Sequence, residues 1–345
     1  MRIMALAATT CTLLIPTVSL AQVCPEYVGQ LSSAAKGRGI AIAGSNAFVA
    51  SFDDGLRVVD IARPSSPVEI GRVDTAGHAL DVAVDGHQAY VADWDGGLHI
   101  IDVSVPSAPR LIGTCTTPTN ARGVAVSRSH AYVANDILGL RVIDVSAPRT
   151  PRQVGQLHIP YGALELALSR DHAFVVEGTG NLLVLDVNMP SRPRLVGSCA
   201  TASRALDVVV SGTLAYVATG CTGLRVIDIS VPSSPVEVGS YEVPGMVHGV
   251  ARGASFAFLV QSGAAGERRG GIHVIDVARL SHAVELGFDD SAAIPWAVAI
   301  SGTHAYVADE FGFFVFDAGR CGNGLPLFAD DFESGDTSAW SATAS

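Results

Sequence analysis

Lysine is almost missing from this chain: Lys36 is the only one among 345 residues, and the rest of the cationic charge is arginine. Charged residues of both signs make up only 16%, and the net charge is −11. No run of basic residues occurs. Neutralising phosphates takes a basic stripe, and so does adsorbing to an anionic bilayer, so nucleic acid and membrane surface are set aside as partners. After the first twenty residues no apolar run approaches the roughly 20 residues of a membrane span. A sustained 3.6-residue apolar period is absent too, which excludes a helical domain. So are a Gly-x-Ser-x-Gly elbow, a His-Glu-x-x-His helix and a Gly-rich phosphate loop. Asp93-Trp94-Asp95-Gly96 is too short for an EF-hand and lacks the distal Glu.

What is present is apolar surface, at 48% of residues, and the punctuation of 36 Gly and 17 Pro. Such a chain buries a core and is built from short strands and turns. Its start reads as a secretory leader. Arg2 supplies positive charge, an apolar run extends from Ile3 to Leu20, and Ser19-Leu20-Ala21 is a small-x-small cleavage site. Residues 1–21 are therefore expected to leave, with the mature chain beginning near Gln22. An uncleaved anchor helix is opposed by Pro16 and by Thr9, Thr10 and Thr12. Ala21-Gln22-Val23 before Cys24 does not match a lipoprotein box.

One segment recurs along the rest: Gly55-Leu56-Arg57-Val58-Val59-Asp60, Gly97-Leu98-His99-Ile100-Ile101-Asp102, Gly139-Leu140-Arg141-Val142-Ile143-Asp144 and Gly223-Leu224-Arg225-Val226-Ile227-Asp228, with weaker copies ending at Asp186, Asp276 and Asp317. The intervals between these aspartates are 42, 42, 42, 42, 48 and 41 residues. Each period holds four runs rich in β-branched residues, bounded by Gly, Pro, Ser and Asp. Four strands in such a period make one propeller blade. The expected fold is all-β: a seven-bladed β-propeller of four-stranded antiparallel blades over residues 22–321. The segment after Asp317 lacks a fourth strand. Glu26-Tyr27-Val28-Gly29-Gln30-Leu31 has the missing pattern, so the N-terminal strand is expected to complete the last blade.

Cysteine agrees with that closure. Cys24 precedes the borrowed strand and Cys321 follows the last third strand, so a Cys24–Cys321 disulfide is expected in an exported protein. Cys199 follows the last strand of blade four and Cys221 lies in the second-to-third-strand loop of blade five; both loops should emerge on the same face, which suggests a second bridge, Cys199–Cys221. Cys115 is then left over, as a buried free thiol or an intermolecular link.

Gly-Leu-x-Val-Ile-Asp-Val, followed by Ser-x-Pro-x-x-Pro-x-x-Val-Gly and preceded by Ala-Tyr-Val-Ala-(Asp/Asn), resembles the LVIVD-repeat propellers of bacterial exported and surface proteins. Copies include Ala131-Tyr132-Val133-Ala134-Asn135 and the run from Pro232 to Gly239. The resemblance spans roughly Glu26 to Asp317. It implies a propeller and no shared catalytic residues. Residues 322–345 leave the repeat. The run from Phe328 to Ser341 resembles a terminal sequence of exported Gram-negative proteins, and also the first strand of lectin-like sandwiches cut short. Some twenty residues cannot build a core, so a flexible tail is expected.

Several sets of residues recur or cluster and are weighed for function. The seven repeated aspartates fit a turn better than a site, each ending a strand where a carboxylate can accept backbone N–H groups. Phe48, Tyr90, Tyr132, Phe174, Tyr216, Phe258 and Tyr306 hold one place per blade and suggest packing between blades. The loops joining second to third strands carry Asp53, Asp54, Asp93, Asp95, Asp136, Glu177, Asp309 and Glu310. They fall on one face, either as a solvated acidic rim or as oxygen ligands for a cation or a basic partner. Where inner strands begin stand Arg38, Asp81, Arg122, Glu165, Arg204, Asp207, His248 and Trp296, at the channel mouth. They either pair with one another or hold a small anionic or sugar ligand. Blade six carries six extra residues, including Arg268 and Arg269, where repeat proteins place binding insertions. His87, His130, His172 and His304 sit in turns at the opposite end, which suggests turn chemistry.

The reading is a secreted, periplasmic or cell-surface bacterial protein, monomeric and without a cofactor. It holds an extracellular protein or glycan without catalysis. The alternative is a metal-assisted hydrolase or lyase at the channel mouth, using Asp81, Asp207 and His248.

Overall fold

The computed structural model describes residues 24–253, 255–263, 270–280 and 283–321. The leader (1–21), the tail (322–345) and Arg268 and Arg269 lie outside the described residues.

Seven four-stranded antiparallel sheets form the blades of a propeller. Blades one to six take residues 37–73, 81–115, 123–157, 163–200, 205–241 and 246–289 in order. Blade seven is built from Pro295–Ser301, His304–Asp309 and Gly312–Asp317, and Glu26–Leu31 from the other end of the chain supplies its outer strand. Each inner strand packs against those of both neighbouring blades, and blade seven's packs against blade one's, so the ring closes. Cys24 and Cys321 are disulfide-bonded at the junction between blades six and seven, where the borrowed strand begins. No helix among the described residues is long and apolar enough to cross a membrane.

Burial explains the strand sequences. The third strands, such as Gly55–Asp60, are buried up to their final residue, except at Asn181 in blade four, because each is sandwiched between adjacent blades. The outer strands are only half buried, as in Arg152–Leu157. The core is divided into seven apolar clusters, one at each blade junction. The repeated aromatic contributes to each junction, from Phe48 between blades one and two to Tyr306 between blades seven and one.

Two recurring devices account for the repeat. Asp60, Asp102, Asp144, Asp186, Asp228, Asp276 and Asp317 each accept the backbone N–H two residues on, at 2.8–3.0 Å. In blades one to six the aspartates therefore hold the turn into the outer strand, and Asp317 holds the turn that leads to Cys321. The outer-strand glycine is the second device. A Cβ on Gly71, Gly113, Gly155 or Gly197 would sit 1.9–2.3 Å from the carbonyl oxygen of Pro106, Pro148, Pro190 or Pro232 in the next blade. Only glycine lets that turn dock on the sheet edge.

One expectation fails. Cys199 and Cys221 are both free, as is Cys115. Cys199 sits on an outer strand and packs into the junction between blades four and five, within reach of the Glu237 backbone. Cys221 lies exposed in a short 3₁₀ turn, Gly220–Thr222, between the second and third strands of blade five. The two share a face, but one belongs to the rim and the other to an inner loop. Cys115 holds the equivalent outer-strand place in blade two, opposite Leu98 as Cys199 is opposite Leu182.

Candidate binding face around the central channel

The antiparallel order puts the second-to-third-strand loops and the starts of the inner strands on one face. There the two candidate sets merge into a single cluster. The Arg38 guanidinium lies 4.3 Å from the Trp296 ring centroid and 5.2 Å from that of Phe52. It also pairs with Glu310 at 2.8 Å. His248 stacks on Trp296 at 4.5 Å, and Phe52 on His78 at 4.5 Å. His78 in turn reaches Asp95 at 3.4 Å. A continuous arc of flat side chains thus runs from blade six through seven and one to two. A second stack continues it: Arg122 lies 4.5 Å from the Trp94 ring and 3.3 Å from Asp136. Phe52, His78 and Trp94 were not picked out from sequence, although each sits within a few residues of a chosen position.

The acidic loop residues divide by burial. Asp93, Glu177 and Asp309 hold equivalent places at the ends of second strands and are buried. Asp93 accepts the Thr75 hydroxyl at 2.8 Å and lies 2.9 Å from His99. Glu177 accepts from Thr179 and Asn181. Asp309 accepts the Ile294 and Phe311 N–H groups, each at 2.7 Å, while burial pushes its carboxyl up. These three anchor connectors through at least one oxygen each, while Asp93 Oδ2 faces His99 without a hydrogen bond. Asp53 and Asp54 are more exposed and pair with Lys36 and Arg57.

Deeper in the channel, Asp81, Glu165 and Asp207 occupy equivalent inner-strand positions. Burial raises Asp81 to about 6 and Asp207 to about 7, against the pull of backbone N–H donors. Glu165 is raised well above the usual carboxylate range, first by burial and then by the charges of Asp81 and Asp207. Glycine stands at the matching positions in blades one and three because there is no room: a Cβ on Gly123 would lie 2.1 Å from Glu165 Oε1. His248 is pushed down to about 4, chiefly by burial and then by the Arg38 charge, and its Nε2 meets Ser262 Oγ at 2.9 Å. Arg204 is exposed on the rim. Among the described residues, no group of three or more His, Cys, Asp or Glu side chains is arranged to hold a metal ion.

Comparison with known proteins agrees with this architecture. The family model described as LVIVD repeat matches residues 34–75, 76–117, 118–158, 162–201, 202–243 and 294–318. The unmatched stretch is blade six, where the repeat is interrupted by its longer loop. No curated protein matches the chain in sequence. Among solved structures, the computationally designed Ika8 protein aligns with a TM-score of 0.62 and 11% identity, over 85% of this chain and 99% of its own. Raptor from Chaetomium thermophilum aligns with a TM-score of 0.68 and 12% identity, over 86% of this chain and 29% of its own. At such identities the likeness is one of fold alone.

Proposed function

The chain belongs to the LVIVD-repeat family, and from that premise we propose that it is an exported, non-catalytic module holding an extracellular protein or glycan on its channel-mouth face. The observation that carries this reading is the stacked arc from His248 through Trp296, Arg38 and Phe52 to His78. Flat aromatic and guanidinium faces, held rigid by neighbours, suit sugar rings and the anchor side chains of protein partners. The Trp296 indole N–H is buried without a hydrogen-bond partner, so it has a bond left to give. Arg204, exposed just before the inner strand Ala205–Ser211, would extend the contact. Glu310 and Asp136 are occupied in holding Arg38 and Arg122, a positioning role rather than a chemical one. Export is supported by the leader-like start of the sequence and by the Cys24–Cys321 disulfide.

The test compares the wild-type protein with a Trp94→Ala/Trp296→Ala variant for binding to a panel of soluble glycans and to extracellular protein fractions. Saturable binding that weakens at least about tenfold in the variant, with its melting temperature retained, is the expected result. Binding unaffected by the double substitution would sink the assignment, as would no binding in any fraction.

A further inference from the structure

The opposite face carries the short turns between inner and second strands. In blades one, two, five and seven these are two-residue loops whose first residue is Gly44, Gly86, Gly212 or Gly302, at φ 55–60°. Glycine is the residue for that backbone. Blades three and four depart from the rule. Arg128 at φ 56° and Arg170 at φ 54° hold the glycine position in neighbouring blades. Backbone strain of this kind persists where something else selects the side chain.

What the two arginines share is a cavity of about 160 Å³ between their blades, lined also by His130, Tyr132, Ser127, Asn188 and one carboxylate, Asp171, so that its two guanidinium groups outnumber its one acid. Tyr132 is 5% exposed, and its hydroxyl has no hydrogen-bond partner among the described residues. In blade two the matching Tyr90 donates to Gln88 at 2.5 Å, so Tyr132 has lost an internal partner its neighbour keeps. Arg170 has no ion pair among the described residues. Arg128 meets Asp171 at only 3.5 Å, with both side chains largely open to solvent. The rim arginines nearby differ: Arg152 and Arg194 are spent on Asp144 and Asp186.

We infer that this cavity is an oxyanion site that takes a sulfate or phosphate group, free or carried on a polymer. The donors come from several chain segments around the cavity: two guanidinium groups, an imidazole, hydroxyls and an amide. They suit a ligand with oxygens on every side, and guanidinium groups pair with such oxygens in bidentate fashion. In a chain of net charge −11, two arginines placed together at a backbone cost mark a local reversal of the field. The site lies on the face away from the stacked arc, so it stands or falls independently of the proposed partner.

The experiment titrates the full chain with sodium sulfate at constant ionic strength, and separately with dextran sulfate, by calorimetry. The wild-type protein is set against Arg128→Gly/Arg170→Gly. Those substitutions restore the turn residue of four other blades, so the fold is kept. Saturable binding of either probe, weakened at least about tenfold in the double variant, is expected. Binding of sulfate alone identifies a free-anion site, and tight binding of dextran sulfate with weak binding of sulfate identifies a polymer site. The proposal is overturned if neither probe saturates the wild-type protein, or if the glycine variant binds as well.

Discussion

The carboxylate of Asp81 accepts the backbone N–H of Val124 at 2.8 Å, across a sequence separation of 43 residues. Asp207 does the same to Val250 at 2.8 Å. Each latch ties the inner strand of one blade to that of the next, at the narrowest part of the ring. The price is an acid held largely out of water, Asp81 buried and Asp207 half-buried.

That burial sets a pH dependence. Burial raises Asp81 from 3.8 to about 6 and Asp207 from 3.8 to about 7, and raises Glu165 as well. Folded-state values above unfolded ones give a contribution that is complete below about pH 4. It is lost as the pH climbs through about 6–7. For Asp207 the ceiling is roughly 4 kcal/mol across that range. Urea unfolding at pH 5 and pH 8 should show the protein less stable at pH 8, with the difference reduced in Asp207→Asn. Equal stability of the wild-type protein at the two values would mean that the three acids are hydrated.

The outer-strand glycines should be intolerant of even a methyl group. In Gly155→Ala the new Cβ would lie 2.0 Å from the Pro190 carbonyl oxygen, so the turn of blade four must lift off the edge of blade three. A loss of about 1–3 kcal/mol is expected. Gly212→Ala serves as the control, since its Cβ meets nothing within 4 Å and the cost is limited to its φ of +60°. Chemical denaturation of the two variants separates the effects, and equal losses would refute the docking argument.

These glycines also show why the fold was legible in the sequence. Asp, Pro and Gly recur at fixed spacing because each blade needs the same turn and the same bare edge, so the physical constraint is written once per repeat. The borrowed strand was legible for the same reason, since Val28-Gly29 repeats the outer-strand signature. The binding face was only half legible. Asp93, Glu177 and Asp309 read as a surface rim, yet alternation along a strand cannot say that a connector folds over its end and buries the carboxylate. The stacked arc was hidden because its members come from four blades and the sequence fixes no distance between them. Arg128 and Arg170 did leave a signal: arginine where the sister turns have glycine. The Cys199–Cys221 pairing failed because sharing a face does not set the radius from the channel.

The three free cysteines among the described residues should be labelled in a definite order. Cys221 is exposed, whereas Cys115 and Cys199 are half buried and burial pushes both thiols up. Under native, oxidised conditions a disulfide-exchange dye should label Cys221 first. Cys115 and Cys199 should follow more slowly, because the thiolate is the reacting species. Peptide mapping after partial labelling reads the order. If only Cys115 were labelled even after unfolding, a bridge between Cys199 and Cys221 would have to be restored.

The last prediction concerns the closure. Cys24 and Cys321 are buried and linked across 297 residues of sequence, next to the strand Glu26–Leu31 that completes blade seven. Apart from the disulfide, that strand is held to its blade by backbone pairing and by side chains such as Tyr27 against Phe316, since its own chain connection leads into blade one. Without the bond, its outer end is free to fray and to expose the edge formed by Gly312–Asp317. A Cys24→Ser/Cys321→Ser variant should lose about 2–5 kcal/mol of stability. Hydrogen exchange should show where the loss begins. The amides of Tyr27 to Gln30 should exchange faster while those of Leu140–Asp144, in the middle of blade three, stay protected. Uniformly faster exchange would mean that the ring opens as one unit, and unchanged exchange with an unchanged urea midpoint would mean that strand pairing closes the propeller without the disulfide.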